Sequence, residues 1–166
     1  MNALQIHLMM NHVPVVAPVM AGLLLLIGFA VRSQAVLRTG LATLIVAALF
    51  AIPVFLTGEP VEEIAEKLPG VAKQQIETHE SSAKASLIFL SVLGAGSLVA
   101  LLAYRKRALP TGVGAAVLVL CVIAAGQVAW TAHLGGQIRH TELNAGGSAS
   151  AGTQGAGEAG ERDDDD

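Results

Sequence analysis

Charge is scarce in this chain. Only 14% of its 166 residues are Asp, Glu, Lys or Arg, where a soluble domain carries about a quarter. With 53% hydrophobic residues and a mean hydropathy of +0.61, that shortage points to lipid as the main solvent. Aromatics make up only 4%, and no basic stripe interleaves with them, so there is no nucleic-acid footprint. The one cysteine, Cys121, lies inside an apolar run. An internal disulfide is excluded, and Cys121 reads as a small core residue, not a thiolate ligand or nucleophile. Residues 1–31 hold no Lys or Arg. A cleavable signal peptide needs a basic leading region and a short apolar core, so the first apolar stretch reads as a retained helix. Also missing are a Gly-rich phosphate loop, a Cys pair, a Ser/His/Asp set, an acid within an apolar run and a convincing internal repeat. These absences leave no enzyme or transporter signature.

What remains is a set of apolar runs at about 13–31, 39–56, 85–104 and 111–132. Each is near the ~20 residues that cross a bilayer as a helix, and open strands are excluded because their unpaired backbone groups would each cost several kcal/mol in hydrocarbon. The expectation is an all-α membrane protein, an up-down bundle of four transmembrane helices over residues 1–143. The short connections 32–38 and 105–110 hold Arg32, Arg38, Arg105, Lys106 and Arg107 and no acid. The longer connection 57–84 holds Glu59, Glu62, Glu63, Glu66, Glu77 and Glu80 against Lys67, Lys73 and Lys84. Short basic loops stay in the cytoplasm, so both termini and the acidic connection are expected outside, in the periplasm of a bacterial inner membrane. Within that connection PVEEIAEKL, with early acids and a late lysine, suits a short amphipathic helix. Pro69-Gly70 ends it, and from Val71 no breaker interrupts a helix running into the third span. Residues 144–166, rich in Gly, Ala and Ser with a terminal acidic run, have the composition of a disordered tail.

The histidines carry the functional signal. His7 and His12 precede the first span, His79 precedes the third, and His133 and His140 follow the fourth. Threading the spans up and down brings all five to the same end. His12 and His133 form the deeper tier, with His7, His140 and His79 shallower. Imidazole is the commonest metal ligand near neutral pH, and facing histidines on bundle helices build haem and other metal sites. Small residues at Ala17, Ala21, Gly22, Gly126, Ala129, Ala132, Gly135 and Gly136 offer relief for a cofactor cavity or for close helix packing. Each histidine also has a plainer role as an amphipathic residue at headgroup level. Trp130 reads as an interfacial anchor, and Gln127 as helix glue or a ligand contact. His79-Glu80 begins a zincin pattern, but Ala83 stands where the second histidine would be.

The stretch His7-Leu8-Met9-Met10-Asn11-His12-Val13-Pro14 resembles the opening His-Pro-x-x-Val-His-Phe-Pro pattern of a bacterial family of four-span membrane proteins catalogued as a domain of unknown function, with Leu8 and Asn11 departing from it. Thr57-Gly58 before the acidic connection, the single His79, and the run His133-Leu134-Gly135-Gly136-Gln137-Ile138-Arg139-His140 are similar to the family's later features, with Thr141 where a glycine is usual. The resemblance spans about residues 4–143. Its histidine pattern is similar to that of membrane b-type cytochromes, which implies redox work by association.

These readings converge on a haem b electron-transfer protein, with His12 and His133 as axial ligands and His7, His79 and His140 as a second group. The alternatives are copper or zinc on the same imidazoles, or an accessory membrane subunit without a cofactor. The expected partners are the bilayer and a redox protein at the outer face, with no nucleic acid.

Overall fold

Each apolar run satisfies its own backbone by coiling, the one open solution for a segment without water around it. In a computed structural model that describes residues 3–67 and 71–139, the helices are α1 (Ala3–Met10), α2 (His12–Ala30), α3 (Gln34–Leu56), α4 (Gly58–Ala65), α5 (Lys73–Ala103) and α6 (Thr111–Arg139). No strand occurs among the described residues. Four stretches, Leu4–Ala30, Gln34–Leu56, Lys73–Ala103 and Thr111–Ile138, are long and apolar enough to cross a membrane. They form a closed ring in which α2 packs on α3, α3 on α5, α5 on α6 and α6 back on α2. Only 28–33% of each span is buried inside the ring. Its outward faces expose Leu23, Leu26, Val92, Val99, Leu120 and Val122. An apolar exterior on every side needs lipid around it, so this is a multi-pass membrane protein.

The expected four-helix bundle is present. α5 runs unbroken from Lys73, as the lack of a breaker after Val71 predicts, and Gln75 Oε1 accepts the Ala72 N–H at 3.2 Å to close its first turn. α4 covers the acidic segment but ends at Ala65. The Gly135-Gly136 pair does not end α6, which continues to Arg139. His140 and the tail 144–166 lie outside the described residues. α1 and α2 meet at Asn11, whose N–H still reaches the His7 carbonyl at 2.9 Å. Pro14 has no N–H for the Met10 carbonyl, which is where α1 stops, and it is tolerated in the first turn of α2.

Both ends of the ring are fastened, by different chemistry. At the basic end, α2 turns into α3 through a paired C-terminal cap. The Ser33 N–H reaches the Gly28 carbonyl at 2.9 Å and the Arg32 N–H reaches Phe29 at 3.2 Å. Arg32 holds the left-handed conformation there, at φ 52. The Arg38 guanidinium donates to the carbonyls of Tyr104, at 2.9 Å, and Arg107, at 3.0 Å. It thus neutralises the C-terminal end of the α5 dipole. Gln34 Oε1 accepts from the Leu109 N–H at 2.7 Å. Between the ends, glycines set how closely the helices approach. A Cβ on Gly28 would meet Leu37, including its backbone nitrogen at 2.9 Å. One on Gly40 would meet Leu25 at 3.0 Å, and one on Gly94 would run into Ala48. α6 approaches α2 through Gly114 against Phe29 and Gly22 against Cys121. The core between them is Ala21, Leu25, Leu41, Leu44, Leu90 and Cys121.

Gly28→Ala must spread α2 from α3 because its close contact includes backbone. A loss of about 1–3 kcal/mol is expected, read as a lower midpoint in a thermal melt in detergent micelles. Gly126→Ala, at a site with nothing within 4 Å, gains helix propensity and should match or exceed the parent.

Candidate functional site

The spacing of buried positions along each helix fixes which polar residues face inward. On α2 the buried residues include Pro14, Pro18, Ala21, Leu25 and Gly28. Carried back at the same spacing, this phase passes through Asn11 and His7, both half-buried, and misses the exposed His12. On α5 the buried Ser86, Leu90, Leu93 and Ser97 lead back to the buried Ser82 and the half-buried His79. On α6 Val117, Cys121, Ala124 and Val128 lead on to Thr131 and Gly135, and miss the exposed His133. Residues seven apart share a helix face, so His7 and His79 are the imidazoles turned toward the bundle.

Each is held by a carbonyl of another helix. His7 Nδ1 lies 3.0 Å from the Val54 carbonyl of α3 and 3.3 Å from Thr57 Oγ1. His79 Nδ1 lies 3.1 Å from the Thr131 carbonyl of α6. A carbonyl only accepts, so the proton sits on Nδ1 in both rings, and the neutral imidazoles keep a lone pair on Nε2. Neither Nε2 has a hydrogen-bond partner among the described residues. Glycines make room beside them: a Cβ on Gly135 would stand 3.0 Å from His79 Cε1, and one on Gly58 3.9 Å from His7 Cε1. His7 thus sits beside Thr57-Gly58, and His79 beside Gly135.

The seam between α5 and α6 at this level is polar. Ser82 and Ser86 hydroxyls lie 2.7 and 2.8 Å from Thr131 Oγ1. Gln127 Nε2 donates to the Ser82 carbonyl and hydroxyl at 3.3 and 3.2 Å, which makes Gln127 a bridge between helices. Asn11 Oδ1 is buried with no partner among the described residues.

The pairing expected between His12 and His133 is not brought together. His12 is exposed at the start of α2. His133 is exposed, and its Nε2 accepts from Gln137 Nε2 at 3.1 Å, one turn along its own helix. Trp130 lies beside it with ring centroids 5.5 Å apart. Both histidines fall on outward faces, about 200° round the helix from their inward neighbours Pro14 and Thr131 two residues away. Of the small residues expected to relieve a cavity, Ala21, Gly22 and Gly135 are on packed faces, while Gly126, Ala129 and Ala132 are exposed. Thr131, Ser82, Ser86 and Asn11 were not anticipated. For Ser82, Ser86 and Thr131 a signal was available, because Ser82 and Ser86 on one helix and Gln127 and Thr131 on the other are four apart and in phase with the core.

Among the described residues no group of three or more His, Cys, Asp or Glu side chains is arranged to hold a metal ion. Compared with family models, curated proteins and solved structures, the chain matches none.

α4 lies alongside α1 and carries an acidic edge near this end. Partial burial, and then the charges of Glu80, Glu59 and Glu66, push the Glu62 carboxyl above its ordinary range. A carboxylate raised on folding opposes folding when ionised, and the penalty disappears below the ordinary carboxylate range, where both states are protonated. Glu62→Gln should therefore melt slightly higher than the parent at pH 7, and the two should coincide near pH 3.5. A difference that persisted at low pH would assign the effect to packing instead.

Proposed function

We propose that this chain is a one-electron carrier of a bacterial inner membrane, with a metal centre held by Nε2 of His7 and Nε2 of His79. The observation that carries the reading is the shared anchoring of the two rings. Each donates Nδ1–H to a main-chain carbonyl, 3.0 Å away for His7 and 3.1 Å for His79, and among the described residues each keeps Nε2 unpartnered as a lone-pair donor. Metal-ligating histidines are held in this way, with the second nitrogen hydrogen-bonded to a carbonyl or carboxylate. Two imidazoles are what a b-type haem asks of a protein, since the porphyrin fills the other four positions. Bound there, a haem would supply single-electron chemistry between a reductant and an oxidant protein, with no bond made or broken in a substrate. The chain would supply ligation, a fixed tautomer and an apolar surround from the bundle core.

Orientation follows from the basic loops. Arg32, Arg105, Lys106 and Arg107 are exposed at the end opposite the histidines, and short basic loops stay inside. The histidine end then opens to the periplasm, where redox partners would dock.

A second reading keeps the same nitrogens but gives them copper or zinc, ions that imidazole suits. The nearness of the α6 backbone favours it. Gly135 stands beside the Cε1 edge of His79, next to the coordinating nitrogen, and an ion needs less clearance there than a tetrapyrrole.

An optical spectrum of detergent-purified protein, air-oxidised and then dithionite-reduced, separates these, together with a pyridine haemochrome assay and elemental analysis. The expected result is a Soret band that shifts on reduction, lost in His7→Ala and in His79→Ala and kept in His12→Ala and His133→Ala. Copper or zinc at one ion per chain without a Soret band supports the second reading. Retention of either centre in the His7 and His79 variants, or no centre in the parent, ends the proposal.

A further inference from the structure

Thr131 acts twice at the histidine end. Its carbonyl takes the Nδ1–H of His79, and its hydroxyl gathers Ser82 and Ser86 from the facing helix. Counting hydrogens gives the network a direction. The Thr131 hydroxyl donates its single hydrogen to the Gln127 carbonyl at 3.1 Å, so both serine hydroxyls donate to its oxygen, which has two lone pairs to accept them. Gln127 Nε2 then donates to Ser82 Oγ. Thr39, Thr43 and Thr78 make the same bond to the carbonyl one turn back on their own helices, but among the described residues Thr131 alone of these four also gathers hydroxyls from a facing helix. Ser82 and Ser86 are 8% and 7% exposed, too enclosed for water to take over their bonds without cost.

Two hydrogen bonds meeting on one oxygen fix both the height and the rotation of α6 against α5. A slide of one residue is about 1.5 Å, enough to carry the Thr131 carbonyl out of hydrogen-bond range of the imidazole. We infer that Thr131 is a positioning residue for His79: its hydroxyl sets the α5–α6 register at which its carbonyl receives Nδ1–H, and so keeps His79 Nε2 as the lone-pair nitrogen that a metal ion would take. Its functional meaning rests on His7 and His79 as the ligand pair, while the control of the tautomer does not.

The test is nitrogen NMR of protein labelled with ¹⁵N-histidine in lipid nanodiscs, at a pH where His79 is neutral, with the His79 signals assigned by their loss in His79→Gln. In the parent, one neutral tautomer with the proton on Nδ1 is expected. Thr131→Val keeps the shape and the carbonyl but removes the hydroxyl, and should give a mixture of tautomers. Thr131→Ser should restore the single form. The Ser82→Ala/Ser86→Ala double variant cuts the same bonds from α5 and should reproduce Thr131→Val, which keeps the test open if the valine variant fails to fold. Thr43→Val should leave the spectrum unchanged. Copper(II) titration followed by electron paramagnetic resonance should show affinity about tenfold lower in Thr131→Val, the scale of losing an outer-shell partner of a ligand. A single unchanged tautomer in both the valine and the double-serine variants overturns the inference. A tautomer shift in protein that binds neither haem nor copper upholds the positioning role and removes the ligand reading. Copper bound through His7 and His79 with no tautomer shift does the reverse.

Discussion

In hydrocarbon a polar group has only the chain itself to bond to, and an unmade hydrogen bond there costs several kcal/mol. That constraint organises this molecule. It makes every span a helix, keeps charge out of the middle of the runs and confines inward-facing polar side chains largely to one end of the ring. There most of them are paired: His7 to α3, His79 to α6, and Ser82, Ser86, Gln127 and Thr131 to one another, while Asn11 Oδ1 has no partner among the described residues. The same demand turns an imidazole, which could protonate either nitrogen, into a ring with a defined proton. A carbonyl that can only accept and a ring that donates to it specify the tautomer between them, and the lone pair on Nε2 follows.

The spans, their order and the uninterrupted entry of α5 were legible in the sequence because each rests on composition and on the absence of breakers. The gathering of the histidines at one end was legible too, since it needs only the parity of the spans. Which histidines turn toward the bundle is set by helical phase, which depth along the helices does not report. His12 and His133 lie deeper along their helices than His7, but each is two residues off the buried repeat, and two residues is more than half a turn. Phase extended from Pro14, Pro18 and Ala21, or from Val128 and Ala124, would have turned both outward. The carbonyl partners Val54 and Thr131 were beyond reach in another way. A main-chain acceptor carries no residue-type signal, and its availability depends on how two helices cross.

α6 gives a second instance. Gly135-Gly136 lowers helix propensity by about 1 kcal/mol per residue, which made a helix end plausible there. The helix continues because Gly135 lies on the packed face, where a larger residue would strike His79. Its propensity cost is the counterpart of a close contact, since a Cβ there would stand 3.0 Å from His79 Cε1 and displace the ring, so local preference gives way to tertiary packing.

The seams of the ring are unequal, and the inequality bears on function. At mid-span α2 meets α3, α3 meets α5 and α6 meets α2 through glycines, with the Cys121 thiol donating to the Pro18 carbonyl at 3.1 Å across the α6–α2 seam. The α5–α6 seam is held at the histidine end by directed hydrogen bonds. His79 stands on α5 and hangs from α6, within this fixed half. His7 stands on α1, the lead-in to α2, and hangs from α3. Since α2 and α5 are diagonal in the ring, and so are α3 and α6, the two imidazoles come from opposite sides of the mouth. Anything that bonded both Nε2 atoms would tie the α1–α3 side to the α5–α6 side across the mouth. Binding to the folded form alone adds stability in proportion to the logarithm of ligand excess, so a centre at this point would hold the bundle closed as well as carry an electron.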